Sequence, residues 1–251
     1  MLFSSAYWAL QSRFGRYPRL ARRFIRRHGL VVKGGPFAGM RYPRRAAVGR
    51  IVAKLISSYE EELHGVFDDL LRADPRRVVN IGSAEGYYAV GLARALPEAR
   101  VYAFEADAGR RALCEALARE NGVEARVLLY GACTALDLAG LPEPGDLVVC
   151  DCEGCETEVL RPDVVPWLAG ARLLVELHDA FVPGTRETLA ARFAPTHIVR
   201  LIAETPRDPT RHPALSGLTG EEAREAVDEY RRDREARPLH MQWAVMTPRR
   251  S

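Results

Sequence analysis

Apolar positions along the middle of the chain alternate between two periods. Short β-branched and apolar runs at 78–81, 100–104, 126–130, 146–150 and 171–177 predict buried parallel strands. Between them the spacing turns helical. Over 87–96, Tyr88, Leu92 and Ala95 share one face and Pro97 ends the element. Asp107 reads as the N-cap of a helix that stops at Asn121-Gly122. Runs at 196–203 and 240–246 predict two last strands, and the charge-rich 221–234 stretch between them reads as a helix with a solvated face. Strands alternating with helices define an α/β fold with a doubly wound, mostly parallel sheet, here of seven strands.

The first 75 residues follow a different pattern. Phe3, Tyr7, Leu10, Phe14 and Tyr17 fall at three- and four-residue spacing, and Phe24 and Ile25 continue the stripe. Arg13, Arg16, Arg19, Arg22, Arg23, Arg26 and Arg27 occupy the other face. This predicts a basic amphipathic helix, or two broken near Gly15–Pro18, packed on the main domain or on a second copy in a homodimer. Membrane-surface contact through residues 1–30 is the rival reading, and no aromatic stacking module accompanies the arginines to favour nucleic acid. Residues 34–43 are turn-rich. Ser57-Ser58 followed by Glu60, Glu61 and Glu62 predicts a helix start, with Leu63, Val66, Phe67 and Leu70 as its apolar face. Tyr59 and Glu60 are candidates for the pocket edge, and the Pro206–Pro213 loop is a second. The division expected is a helical, basic appendage and cap over 1–75 and a cofactor-binding domain over 76–251.

Composition narrows this little. The 251 residues are 47% hydrophobic and 27% charged, ordinary for a globular protein, and no apolar run approaches the ~20 residues of a membrane span. A net charge of +3 is too small to argue for nucleic acid. Five cysteines, three of them crowded into 150–155, make a poor disulfide framework and point to a reducing, cytoplasmic setting. They also lack a second Cys-x-x-Cys pair for a zinc knuckle.

The chemistry concentrates in residues 77–105, which read as strand, small-residue turn, helix, strand, acid. Gly82, Ala84 and Gly86 let the backbone turn sharply and let a ligand approach the main chain. Glu105 closes the second strand about twenty positions on, where such folds hold ribose hydroxyls. A dinucleotide needs a third glycine, and Glu85 would repel its pyrophosphate. S-adenosylmethionine carries a sulfonium and no phosphate, so an acidic turn suits it. Asn80-Ile-Gly-x-x-x-Gly86-Tyr-Tyr88 resembles motif I of class I S-adenosylmethionine-dependent methyltransferases and looks most like the FkbM-type branch, with Asn80 standing where the wider class has Asp or Glu. Asp151-x-Glu153-Gly-x-Glu156 after the fourth strand and Glu176-x-His178 after the fifth fit the same pattern.

The resemblance implies a Rossmann-like fold whose last strand inserts antiparallel, and methyl transfer to a hydroxyl oxygen of a small polar acceptor such as a sugar or secondary metabolite. It places the cofactor against Asn80, Gly82, Ser83, Ala84, Glu85, Gly86, Glu105, Ala106, Ala132 and Asp151. Ligands in such sheets bind beyond the carboxyl ends of the strands, so Asp151 and His178 converge there. His178 is the expected general base, with Asp179 or Glu176 holding its tautomer. A Mg²⁺ ion on Asp151, Glu176 and Asp179, with Glu153 and His178 in reach, is the competing use of these groups. Two other functions stand beside the methyltransferase: a nicotinamide-dependent oxidoreductase, which the turn chemistry disfavours, and a non-catalytic module that binds membrane or a partner through residues 1–30.

Overall fold

The structure, a computed structural model, describes residues 16–229 and 241–249. The start of the N-terminal stripe, from Phe3 to Phe14, and the end of the 221–234 stretch lie outside the described residues. Seven strands form one sheet in the order β3-β2-β1-β4-β5-β7-β6. They are β1 (Arg77–Ile81), β2 (Arg100–Phe104), β3 (Val127–Tyr130), β4 (Leu147–Cys150), β5 (Arg172–Leu177), β6 (His197–Ala203) and β7 (Gln242–Pro248). The first five are parallel, and β7 runs antiparallel between β5 and β6. Each strand lies within about two residues of its hydrophobic run; the inner strands are buried on both faces, the strongest apolar signal in the chain, while the edge strands β3 and β6 are partly exposed.

The order reverses at β1, whose neighbours are β2 and β4. The crevice beyond their carboxyl ends is therefore the ligand position such a sheet offers. Helices α4 (Tyr87–Ala95) and α5 (Ala108–Glu120) make the crossovers on one side of this point. Asp107 caps α5 as expected, its side chain accepting from the Arg110 amide at 2.7 Å.

The cap contains α1 (Arg16–His28), α2 (Ile51–Ile56) and α3 (His64–Arg72). Pro18 lies in the first turn of α1, where its missing N–H has no helical partner to lose, so the helix runs unbroken through it. Leu20, Ala21 and Phe24 are buried in the same apolar cluster as Val78, Val101 and Trp243 of the sheet. The apolar face of α1 is thus covered by the chain itself. Helix α2 has no counterpart in the sequence reading: all six residues are buried, and a helix buried all round has no amphipathic period. The helix expected from Tyr59 begins only at His64, because Ser57 and Glu60 adopt left-handed backbone (φ 63° and 49°) and Glu61–Leu63 forms a single 3₁₀ turn.

The helix Gly220–Val227 keeps the expected solvated face, with Glu221 and Arg224 exposed, and adds a buried one. It carries a Thr219–Glu222 capping box, buries Ala226 and Val227, and ties Glu221 and Glu222 to Arg16 and Arg23 of α1. No helix among the described residues is long and apolar enough to cross a membrane.

Candidate functional site

The turn after β1 is built by main-chain constraints. Gly82 has φ 79°, and a Cβ there would lie 1.6 Å from the carbonyl oxygen of Asp151. The space that smallness leaves at Gly82 is therefore filled by the chain leaving β4, where the sequence reading had a ligand. Gly86, at φ 103°, lets α4 approach the Cys114 sulfur, 2.7 Å from where a Cβ would sit. Ala84 holds a left-handed φ of 46°, a conformation a non-glycine residue keeps only when its surroundings enforce it. The enforcement is visible: the Gly82 and Ser83 amides both donate to the Phe104 carbonyl at 2.9 Å, and the Ala84 amide donates to Glu105 Oε2 at 2.9 Å.

Glu105 accepts a second backbone bond on Oε1 from the Asp107 amide, at 2.8 Å. A carboxylate oxygen has two acceptor sites, so each keeps one for a ligand hydroxyl. Ala106 and Ala132 are exposed just past β2 and β3, on the same rim, while Ser83 is buried in the turn. Asn80 is fully buried; its Nδ2 donates to the Val149 carbonyl at 3.2 Å, and its Oδ1 has no hydrogen-bond partner among the described residues.

Glu85 does not present a bare charge to the crevice, contrary to the sequence argument. It is buried in an ion pair with Lys54 of α2, with the Tyr42 hydroxyl 3.5 Å away. The Lys54 ammonium also lies 4.9 Å and 5.3 Å from the ring centres of Tyr59 and Tyr87. Glu85 thus locks the turn to the cap.

The ends of β4 and β5 supply a second group of side chains. His178 is 1% exposed and surrounded by carboxylates. Its Nδ1 lies 2.6 Å from Glu156 Oε1, and that oxygen also accepts from the Gly154 amide at 3.1 Å. Its Nε2 lies 3.4 Å from Glu176, 3.5 Å from Glu153 and 3.6 Å from Asp151. Phe181 stacks on the imidazole with centres 5.6 Å apart. Burial pulls the imidazole pKa down, but its bonds to Glu156 and Glu176 outweigh this and raise it to about 11. Burial, with Glu176 alongside, pushes the Asp151 carboxyl well above the usual carboxylate range.

The carboxyls around His178 favour its protonated form, which weighs against the expected general base, and Asp151 lies 3.6 Å from its Nε2. Of the two partners expected for the imidazole, Glu176 lies 3.4 Å from Nε2, while Asp179 instead accepts from the Arg186 amide at 3.2 Å, at the start of the helix Thr185–Phe193; Glu156, on Nδ1, was not foreseen in this role. Glu156 stands five residues past Asp151, and it returns to His178 only because Glu153 and Gly154 both take positive φ (58° and 109°) and reverse the loop. The Asp-x-Glu-Gly-x-Glu spacing was the signal that contained it.

Asp151, Glu153 and His178 each offer a ligand atom, and these atoms lie within 4.8 Å of one another. Asp151 Oδ1 and Glu156 Oε2 are buried without a hydrogen-bond partner among the described residues. Glu176 borders the group through His178, whereas Asp179 does not join it. The donor set, oxygen-rich with one imidazole, fits Mg²⁺ or Mn²⁺ better than a thiophilic ion. The cysteines add nothing to it: Cys150 is buried in the sheet core as expected, and Cys152 and Cys155 form a disulfide, which corrects the reading of a chain without one.

Arg207 ties the segment before α3 to the chain after β6. Its guanidinium meets Glu62 at 2.6 Å and Glu229 at 2.5 Å, all three side chains nearly inaccessible, and Glu229 also accepts the Glu60 amide at 2.9 Å. The Pro206–Pro213 loop is thereby fastened to the Tyr59–Glu62 segment. Arg207→Ala leaves two buried acids without their cation and is expected to cost about 3–5 kcal/mol, read as a lower urea midpoint.

No family model and no curated protein matches the chain. Solved structures do. The O-methyltransferase TomG from Streptomyces achromogenes, described in complex with SAM, is 18% identical over 93% of this chain and 100% of its own, with a TM-score of 0.50. A putative O-methyltransferase from Klebsiella pneumoniae is 15% identical over 96% and 95%, with a TM-score of 0.48. An O-methyltransferase from Bacillus cereus, described in complex with SAH, is 14% identical over 96% and 97%, with a TM-score of 0.47. The likeness is one of fold: a seven-stranded, mostly parallel Rossmann-like sheet with its last strand inserted antiparallel.

Proposed function

We propose that this chain transfers a methyl group from S-adenosylmethionine to a hydroxyl oxygen of a small polar acceptor, as an FkbM-like member of the class I methyltransferases. The observation that carries the reading is the charge of the crevice. Glu105, Asp151, Glu153, Glu156 and Glu176 line the carboxyl edge of the sheet from β2 to β5, with His178 as the cation among them. Such an edge repels a pyrophosphate and attracts a sulfonium. This replaces the weaker argument from Glu85, whose charge Lys54 offsets, and it disfavours a nicotinamide dinucleotide. The SAM that the Streptomyces neighbour is described as holding has this chemistry.

S-adenosylmethionine supplies an electrophilic methyl on a cationic sulfur; the remaining duties fall to the protein. The acceptor sites that Glu105 has left would take the ribose hydroxyls, and the turn at Gly82–Gly86 would hold the adenosine beside them. Asp151, at the end of β4 beside the switch point, is the carboxylate placed to receive the proton of the acceptor hydroxyl. His178, held by Glu156, keeps the neighbouring negative charges from expelling one another. Phe181 and Val182, exposed at the mouth, offer an apolar wall for the acceptor's body.

A second reading is favoured by the three ligand atoms within 4.8 Å: a divalent cation held by Asp151, Glu153 and His178, which would replace the imidazole proton and lower the pKa of an acceptor hydroxyl.

Calorimetric titration with S-adenosylhomocysteine and with NADH, each with and without Mg²⁺, tests both. Binding of the homocysteine compound alone supports the methyltransferase, and preference for NADH overturns it. In Glu105→Ala, two charge-assisted bonds to the ribose are lost, so affinity for S-adenosylhomocysteine is expected to fall about 100-fold. Asp151→Asn is expected to abolish any Mg²⁺-dependent heat; a heat that survives the substitution would place the ion elsewhere.

A further inference from the structure

We propose that Cys150, Cys152 and Cys155 form a thiol–disulfide switch that sets the positions of Glu153 and Glu156 about His178, with a dithiol, protein or small molecule, as its reductant. The disulfide joins Cys152 to Cys155 and closes a ring of four residues. That ring contains Glu153 and Gly154, the two left-handed residues that turn the chain back (φ 58° and 109°). It is flanked by Asp151 and Glu156. The bridge is therefore part of what brings Glu156 to the imidazole and Gly154 N–H to Glu156 Oε1. A non-glycine residue such as Glu153 keeps positive φ only while its surroundings enforce it. Opening the ring removes that enforcement.

The third cysteine gives the exchange a direction. Cys150 Sγ lies 3.7 Å from Cys152 Sγ, within reach of an S–H···S bond. Cys150 is fully buried, so a reductant does not reach its sulfur, and its S–H is left to donate to Cys152. Cys152 and Cys155 are partly exposed and open to a reductant. A thiolate of the dithiol attacks Cys155 Sγ. The S–S electron pair passes to Cys152 Sγ, which leaves as a thiolate beside the Cys150 S–H and takes a proton from water. The second thiolate of the reductant then attacks the mixed disulfide, closing its own S–S bond and releasing the Cys155 sulfur, which is protonated in turn. Two electrons and two protons pass from the dithiol to the protein.

The test needs neither cofactor nor acceptor, so it stands or falls separately from the function proposed above. The full chain is equilibrated with oxidised glutathione or with dithiothreitol, then alkylated under denaturing conditions and weighed. Three alkylated cysteines are expected without the dithiol and five with it. Native-state hydrogen exchange of the peptide spanning 150–160 is then measured in both forms. Uptake is expected to rise by about tenfold or more on reduction, as local opening becomes easier, and to be high in Cys155→Ser with or without dithiol. In Cys133→Ser, a cysteine outside the cluster, the response to dithiol is expected to persist. Five alkylated cysteines after oxidised glutathione would overturn the proposal, as would equal exchange in the oxidised and reduced chain.

Discussion

Gly82→Ala is expected to unfold much of the protein. A methyl group at this position meets the carbonyl oxygen of Asp151 at 1.6 Å and its carbon at 2.6 Å, both main-chain atoms that cannot rotate aside. The residue would also have to hold φ 79°, a strain of about 1–3 kcal/mol for alanine before any clash. Relief requires β1 and β4 to separate at the point where the Asp151 amide donates to the Ile81 carbonyl at 2.9 Å. Together these put the loss at about 4 kcal/mol or more, a large part of the ~5–15 kcal/mol a domain commonly has. Urea denaturation would read it directly. A midpoint shift worth less than about 1 kcal/mol would mean that the two chains do not meet this closely. Gly131→Ala, where nothing lies within 4 Å and φ is not left-handed, is the matched control.

The second large effect is expected at Lys54→Met. Methionine fills the volume of the lysine stem and removes the ammonium from Glu85, whose side chain is 6% exposed. What remains near that carboxylate is the Tyr42 hydroxyl at 3.5 Å, too far to offset a buried charge. Removing one partner of a buried pair costs about 3–5 kcal/mol, whereas removing both is often close to neutral. Lys54→Met/Glu85→Leu should therefore recover most of the stability lost in the single variant. Equilibrium unfolding of the two single variants and the double gives the coupling. If Lys54→Met lies within about 1 kcal/mol of the parent, the pair does not fasten the cap to the turn.

The sheet was legible because its inner strands are apolar on both faces, its edge strands β3 and β6 still carry apolar runs, and its turns carry Gly, Asn and Asp. Runs at 78–81 and 100–104 mark β1 and β2 almost to the residue. Helix α2 was not legible, because a six-residue helix buried on every side shows no period. The start of α3 was misplaced because acids after serines also occur where a left-handed Glu60 interrupts the chain. In the site, Asp151, Glu176 and His178 could be placed at strand ends by counting, since a strand fixes where its last side chain emerges. Glu176 was in reach of the imidazole as expected, but Glu156 took the place given to Asp179, because that choice depends on loop dihedrals at 153–154. Lys54 and Arg207 were missed as partners of Glu85 and of Glu62 with Glu229, since pairs separated by 22 residues or more leave no local pattern.

The contact between Gly82 and the Asp151 carbonyl also makes the two halves of the crevice one mechanical object. The turn that would carry adenosine and the loop that carries the carboxylates lean on a shared peptide wall, with no compressible side chain between them. Movement of the Asp151 peptide toward β1 is opposed directly by the Gly82 main chain. Occupancy of the two halves is then thermodynamically linked: whatever factor a ligand on the Glu105 side applies to affinity on the Asp151 side, a ligand there returns by the same factor. Order of addition would be a matter of rates alone, and the ternary assembly would be tighter or looser than the sum of its parts by one common coupling constant.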